Sequence, residues 1–290
     1  MDVPGGSYFL CIHKRILKIE VDKQTAGAIY GKSLQGLLFE TPSQLLVFSG
    51  ATSKAPCQVH KLQLSADGCS LVSSRDLNAR IKHIKDVQLH QSTLAILESG
   101  LQQIFLCDLE NPTKIQSIVE AEKPLDFIRF NPASGLLLCC GSRYLVQYSL
   151  TAGSFVEWPQ RVKAQISEAL EKEIPATAPL DIAFDPSNGH KLILYGRDFM
   201  LSLDLSICDL AEAQPKKRTS SRKKVVGETP VEPEKSTEEA AVVRVTKTYD
   251  SILFFGFLAA GEAVLVERPW LAIAADFPPV FKRKLFGGRQ

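Results

Sequence analysis

The sequence predicts an all-β chain built from a repeated four-stranded sheet. Three observations predict it. Alternating apolar strands recur at a near-constant interval, a compact apolar run closed by a small residue precedes most of them, and two matched turns open repeats. The alternating strands fall at 16–21, 59–64, 104–109, 144–150 and 200–205, and their last apolar positions, 21, 64, 109, 150 and 205, lie 43, 45, 41 and 55 residues apart.

The compact runs are 45–48, 94–97, 136–139 and 192–195, followed by Ser49-Gly50, Ser99-Gly100, Gly141 and Gly196. Runs of four to six apolar residues bounded by Gly, Asn-Pro and Asp-Pro are strands, because a helix needs a longer and differently spaced pattern. A run apolar at every position is buried on both faces, whereas the alternating strand after it is half exposed. A weaker strand opens each unit. The pair that shows it best is Leu125-Asp126-Phe127-Ile128-Arg129-Phe130-Asn131-Pro132 against Leu180-Asp181-Ile182-Ala183-Phe184-Asp185-Pro186. Four strands every 40 to 45 residues make the blade of a β-propeller, with a β-sandwich of evenly spaced strands as the alternative.

A worn trace of the Trp-Asp signature supports the propeller. Cys107-Asp108-Leu109 and Leu203-Asp204-Leu205 end third strands where Trp-Asp-apolar would stand, although the Trp is absent and no Gly-His opens a repeat. The chain is therefore expected to be a degenerate WD-repeat β-propeller of about five blades. It opens inside a blade, with 8–11 reading as a second strand, so the expectation is the back portion of a larger tandem propeller.

The remaining segments divide the chain further. Blades span 1–210, with a short amphipathic helix inserted at 161–174, where Val162, Ile166, Ala169 and Leu170 share one face. Residues 211–241 hold the basic cluster Lys216, Lys217, Arg218, Arg222, Lys223 and Lys224, followed by Glu228, Glu232, Glu234, Glu238 and Glu239. With no aromatic residue among them, they read as a disordered charged loop. The cluster suits nuclear import or contact with RNA phosphates, against a solvated loop that serves only solubility. Final propeller strands follow at 242–269. An extended tail at 270–290 interleaves Phe281 and Phe286 with Lys282, Arg283 and Lys284, a chemistry that can lie in a groove or cross an RNA backbone.

Composition narrows the function. The net charge is +2, so any basic function is local. Cys11, Cys57, Cys69, Cys107, Cys139, Cys140 and Cys208 lack Cys-x-x-Cys spacing, and seven thiols cannot all pair within one chain, which points to a reducing compartment. No secretory signal opens the sequence, and the longest apolar stretch, 252–260, is about half a membrane span, so a soluble chain with no membrane partner is expected.

Catalysis is not expected. No phosphate-cradling glycine motif occurs, and His13, His60, His83, His90 and His190 lack metal-ligand spacing. Asp126 and Asp181 take the same place in two repeats, which suits a turn better than a catalytic pair. The chain is thus read as a non-enzyme with no cofactor and no small-molecule substrate.

A resemblance sharpens this. The stretch Lys247-Thr248-Tyr249, Leu265-Val266-Glu267-Arg268-Pro269 and 277–287 is similar to the C-terminal end of the Cirhin family, and Glu267, Arg268 and Pro269 form its motif. Tyr148-Ser149-Leu150, Trp158-Pro159-Gln160-Arg161-Val162 and the strand at 179–184 resemble the same family, so the likeness covers essentially the whole chain. The family's own chain is longer, with propeller sequence N-terminal to this region. The resemblance implies a nucleolar scaffold in the small-subunit processome, bound to other propeller and helical-repeat proteins. It also implies contact, direct or indirect, with the 5′ external spacer of pre-rRNA, and support of rRNA transcription and 18S maturation. The other reading is a WD-repeat adaptor working outside the nucleolus.

Overall fold

A computed structural model describes residues 6–12, 15–21, 33–65, 68–158, 160–173, 179–185, 189–204, 243–247, 251–259, 262–268 and 280–284; for 6–12, 15–21, 160–161, 173, 247, 251, 253–259, 262–268 and 280–284 it describes the backbone alone. The chain divides into two compact units, Met1–Val156 and Glu157–Gln290.

The first unit holds three sheets, antiparallel but for one bridge. One contains β1 (Gly6–Ile12), β2 (Arg15–Val21), β3 (Leu34–Thr41), β4 (Gln44–Ser49), β5 (Gln58–Ser65) and β6 (Gly68–Asp76), in the order β1-β2-β6-β5-β4-β3. The second contains β7 (Ile84–His90), β8 (Thr93–Glu98), β9 (Gln103–Asp108) and β10 (Asn111–Glu120). The third contains β11 (Phe127–Phe130), β12 (Leu137–Gly141), β13 (Tyr144–Ser149) and β14 (Ser154–Val156). Every four-stranded set runs first to fourth strand across the sheet, as a propeller blade does.

The apolar runs identified in the sequence become the second strands β4, β8 and β12. Period-two alternation explains why they are apolar throughout. Leu94 and Ile96 of β8 enter one core with Leu46, Phe48 and Val59 of the first sheet, while Ala95 and Leu97 enter another with Ile128, Leu137 and Cys139 of the third. The third strand β9 splits likewise, with Phe105 and Cys107 on the first side and Ile104 and Leu106 on the second. Each strand therefore serves two cores, and every one of these eight side chains is 4% exposed or less.

Close approach between sheets is set partly by glycine. A Cβ on Gly36 of β3 would come within 2.6 Å of Val87 on β7, and one on Gly141 would collide with the Pro124 carbonyl. The small residue after each apolar run thus has a steric cause at 141.

The structure departs from the sequence reading at the front. The strand at 16–21 does not end a separate blade among the described residues. Its hairpin with β1 joins the first sheet through a single parallel bridge, Val21 to Cys69. A two-stranded hairpin is marginal in isolation, and attachment to an existing edge is the economical outcome.

The second unit opens with helix α1 (Gln160–Glu168), continued by a π-helical turn at Ala169–Glu173, so the predicted helix at 161–174 is present and displaced by one residue. Val162, Ile166, Ala169 and Leu170 are buried as their spacing implies. Its sheet comprises β15 (Asp181–Phe184), β16 (Lys191–Tyr195), β17 (Phe199–Asp204) and β18 (Val243–Lys247). The Val243 amide donates to Gln165 Oε1 of α1 at 3.1 Å, so the helix helps seat the fourth strand. A three-stranded sheet follows, β19 (Ser251–Ala259), β20 (Glu262–Arg268) and β21 (Val280–Lys284).

Candidate docking surface

The first strands of the first unit carry the polar chemistry between its sheets. Register shifts place Gln35 of β3 and Lys85 of β7 at bulges, which turn their side chains toward the next sheet. Gln35 Oε1 accepts from the Ile84 amide at 2.8 Å, and Lys85 Nζ donates to the Leu125 carbonyl at 2.5 Å and to Asp126 Oδ1 at 3.1 Å. Beside them Asp86 Oδ2 accepts from the Ile128 amide at 2.9 Å and pairs with Arg129 Nη1. Burial raises the Asp86 carboxyl above the ordinary carboxylate range, against the downward pull of the Arg129 guanidinium and the Ile128 and Val87 amides. This cluster is saturated with partners and joins two sheets.

The register corrects one sequence reading. Asp181 stands opposite Tyr195, just before Gly196, whereas Phe127 stands opposite Cys140, just before Gly141. Asp126 therefore lies one position earlier than Asp181 in its sheet, and the two aspartates are not equivalent. The equivalence holds at the other end of the strand, where the Asn131 and Asp185 amides donate across the turn to the Leu136 and Lys191 carbonyls, at 2.8 and 2.9 Å.

His60, His90 and the described cysteines have structural surroundings, whereas His83 and His190 are exposed. His60 is fully buried, with Nε2 3.0 Å from Ser49 Oγ and Nδ1 2.8 Å from Ser74 Oγ, a polar ladder across three strands. His90 stacks on Phe130 at 5.2 Å between ring centroids. His83 precedes β7, so it does not share a strand with His90. Cys57, Cys69, Cys107, Cys139 and Cys140 are buried and form no disulfide, and burial pushes Cys107 and Cys139 up to about 12. Among the described residues no cluster of His, Cys, Asp and Glu could hold a metal ion, and no helix is long and apolar enough to cross a membrane.

The two ends of the first unit's sheets differ in charge. Loops joining second to third strands, and fourth strands to the next first strand, share one end. They are 50–57, 77–83, 99–102, 121–126 and 141–144, and they expose Lys54, Arg80, Lys82, Lys123 and Arg143. The loops hold two carboxylates, the exposed Glu122 and the half-buried Asp126 that Lys85 neutralises, and the exposed Asp76 and Glu120 end β6 and β10 beside them. At the opposite end the described turns 42–43, 91–92, 109–110, 131–136 and 150–153 contain no Lys or Arg.

Hydrogen bonds make the basic loops one continuous rim. Cys57 Sγ donates to the Lys82 carbonyl at 3.3 Å, the Ser99 amide to the His83 carbonyl at 2.9 Å, and the Leu125 amide to Gln102 Oε1 at 3.3 Å. Lys123 Nζ lies 5.7 Å from the Tyr144 ring centroid, and Arg80 Cζ 5.8 Å from that of Phe105. Arg143 holds φ at 70°, a left-handed turn conformation that glycine adopts more cheaply. Sequence reading missed this rim, because its charges sit singly in five loops and form no run.

Of the residues singled out in the sequence, Lys216, Lys217, Arg218, Arg222, Lys223 and Lys224 lie outside the described residues, as do Pro269 and Phe286. The segment that holds the basic cluster separates the third and fourth strands of one sheet, β17 from β18. Glu267 and Arg268 belong to β20, opposite Ile252 and Ser251. Phe281, Lys282, Arg283 and Lys284 belong to β21, with Phe281 opposite Leu265 and Lys284 opposite Glu262. The expected tail at 270–290 is therefore in part a sheet strand, its backbone paired across five positions.

No known protein-family profile and no curated protein sequence matches this chain. Solved structures do. A chain in the crystal structure of the mitotic checkpoint complex is similar over 88% of this chain and 61% of that one, at 8% identity and a TM-score of 0.52. The β-propeller domain of Cps50 (Swd1) from Myceliophteria thermophila is similar over 86% of this chain and 71% of that one, at 13% identity and a TM-score of 0.48. The chain thus spans 61% of the length of the first of these. With the blade-like sheets above, the fold is that of a degenerate WD-repeat β-propeller.

Proposed function

We propose that this chain is a non-catalytic scaffold of small-subunit ribosome biogenesis, working in the nucleolus within the processome. The observation that carries the reading is the C-terminal sequence, Glu267-Arg268-Pro269 followed by Phe281-Lys282-Arg283-Lys284-Leu285-Phe286, with its likeness to the Cirhin family. A propeller fold supports a scaffold, because its faces present many loops from a rigid frame. The partners would be other propeller and helical-repeat proteins and the 5′ external spacer of pre-rRNA. The cluster from Lys216 to Lys224 would serve import or RNA contact, and the basic strand β21 would serve docking.

A tagged copy imaged against a nucleolar marker tests the address, with co-localisation expected. A uniform cytosolic signal would replace this reading by that of a WD-repeat adaptor working elsewhere. Crosslinking the tagged chain and sequencing the bound RNA tests the substrate, with spacer reads expected.

A further inference from the structure

We propose that the basic rim of the first unit is an RNA-binding surface that grips the phosphate backbone without reading sequence. It rests on the ribosomal reading above only in naming the polymer as RNA.

The case is the polarity of the sheets. One end exposes Lys54, Arg80, Lys82, Lys123 and Arg143 from loops tied together by hydrogen bonds, and the described turns at the other end carry no cation. Five exposed cations stand against three exposed carboxylates that hold no ion pair, Asp76, Glu120 and Glu122, which leaves this end net positive while the described turns at the other end hold no Lys or Arg. Arg80 and Lys123 are oriented by the Phe105 and Tyr144 rings, so less side-chain freedom is lost on binding than for an unsupported cation.

The rim's chemistry favours phosphates over a protein. A protein partner needs a desolvated apolar centre, and Leu101, 52% exposed, is the one large apolar side chain exposed among the described rim residues. Dispersed single cations on a stiff frame match a polyanion whose charges repeat along a backbone. Lys123 lies over the Tyr144 ring, so this described part of the rim offers charge to the backbone rather than a face for base stacking.

The test uses the full chain and a labelled single-stranded RNA of mixed sequence, with affinity followed by anisotropy against salt. Combining Lys82→Gln, Lys123→Gln and Arg143→Gln should lower the slope of log affinity against log salt by about 2, the yield of three lost phosphate contacts, and weaken binding at about 0.1 M salt at least tenfold. All three side chains are exposed, and an unchanged circular-dichroism melt shows that the fold persists. A second variant neutralises the six cations between Lys216 and Lys224 and leaves the rim intact. An unchanged slope in the rim variant, or a loss confined to the second variant, overturns the proposal. So does tighter binding to an oligoglutamate of equal length, which would assign the rim to an acidic protein segment. Because the RNA is of mixed sequence, a cytosolic address would sink the ribosomal reading and leave this result standing.

Discussion

The sheet β7–β10 and the sheet β15–β18 share one strand plan and differ in what joins the strands. In the first, third and fourth strands are linked by the tight turn at 109–110, and Glu110 there is held by Arg75 of β6 at 2.6 Å. In the second, residues 205–242 stand between β17 and β18, yet Phe199 to Leu203 still pair one-to-one with Lys247 to Val243. Pairing survives the insertion because loop-closure entropy grows only logarithmically, by about 0.6 kcal/mol per doubling. Helix α1 adds a hydrogen bond to the returning strand. A blade's core is thus fixed by its strands, while its charge can be altered in its loops.

Four experiments would break or sharpen this contrast. The largest effect belongs to the strand side. Phe105→Ala empties a fully buried position shared by the first two sheets and should cost about 3–5 kcal/mol, read as a lower denaturation midpoint. A loss below about 1 kcal/mol would mean that the sheets do not pack as described.

Next comes Arg129→Ala, which leaves Asp86 buried without its guanidinium and should cost about 3 kcal/mol. Adding Asp86→Asn should recover much of that loss, and failure to recover would show that the pair contributes nothing beyond its packing. Replacing 205–242 by a four-residue turn should stabilise by about 2 kcal/mol, from roughly three halvings of loop length. A destabilised product would show that the segment makes contacts with the folded sheet.

The smallest effect concerns pH and thiols. Cys107 and Cys139 should resist alkylation at pH 8 in the native state and react in denaturant, as mapped by peptide mass spectrometry. Both thiols are raised to about 12 from an ordinary value of 9.0, so their contribution to stability is full below pH 9 and lost as pH rises through about 12. Native labelling at pH 8 would contradict their burial.

Legibility in the sequence followed burial. Strands β4, β8, β12 and β16 were legible because a strand serving two cores must be apolar at every position, as Leu94 to Leu97 are. The helix was legible from four apolar positions on one face. The strands at 6–21 read in the sequence as part of a separate blade, because a single parallel bridge between Val21 and Cys69 leaves no local pattern. Asp126 and Asp181 both follow Leu, but three residues separate Asp126 from Phe130 and two separate Asp181 from Phe184, and the pairing register shows that the strands align on the Phe and not on the Leu-Asp pair. The rim is illegible for a different reason: Lys54 and Arg143 fall at the same end of their sheets through topology, not through any run in the sequence.

The alternation along β8 has a consequence for how such a protein changes over generations. Odd positions 95 and 97 answer to the following sheet, and even positions 94 and 96 to the preceding one. A substitution at 96 can be compensated only from residues such as Leu46 or Phe48, and one at 95 only from the other side, around Leu137. Drift in one repeat is therefore inherited as two separate conversations with its neighbours, each conducted at every second residue. Repeats bound in this way can lose every letter of a shared motif, the tryptophan included, and remain mutually fitted.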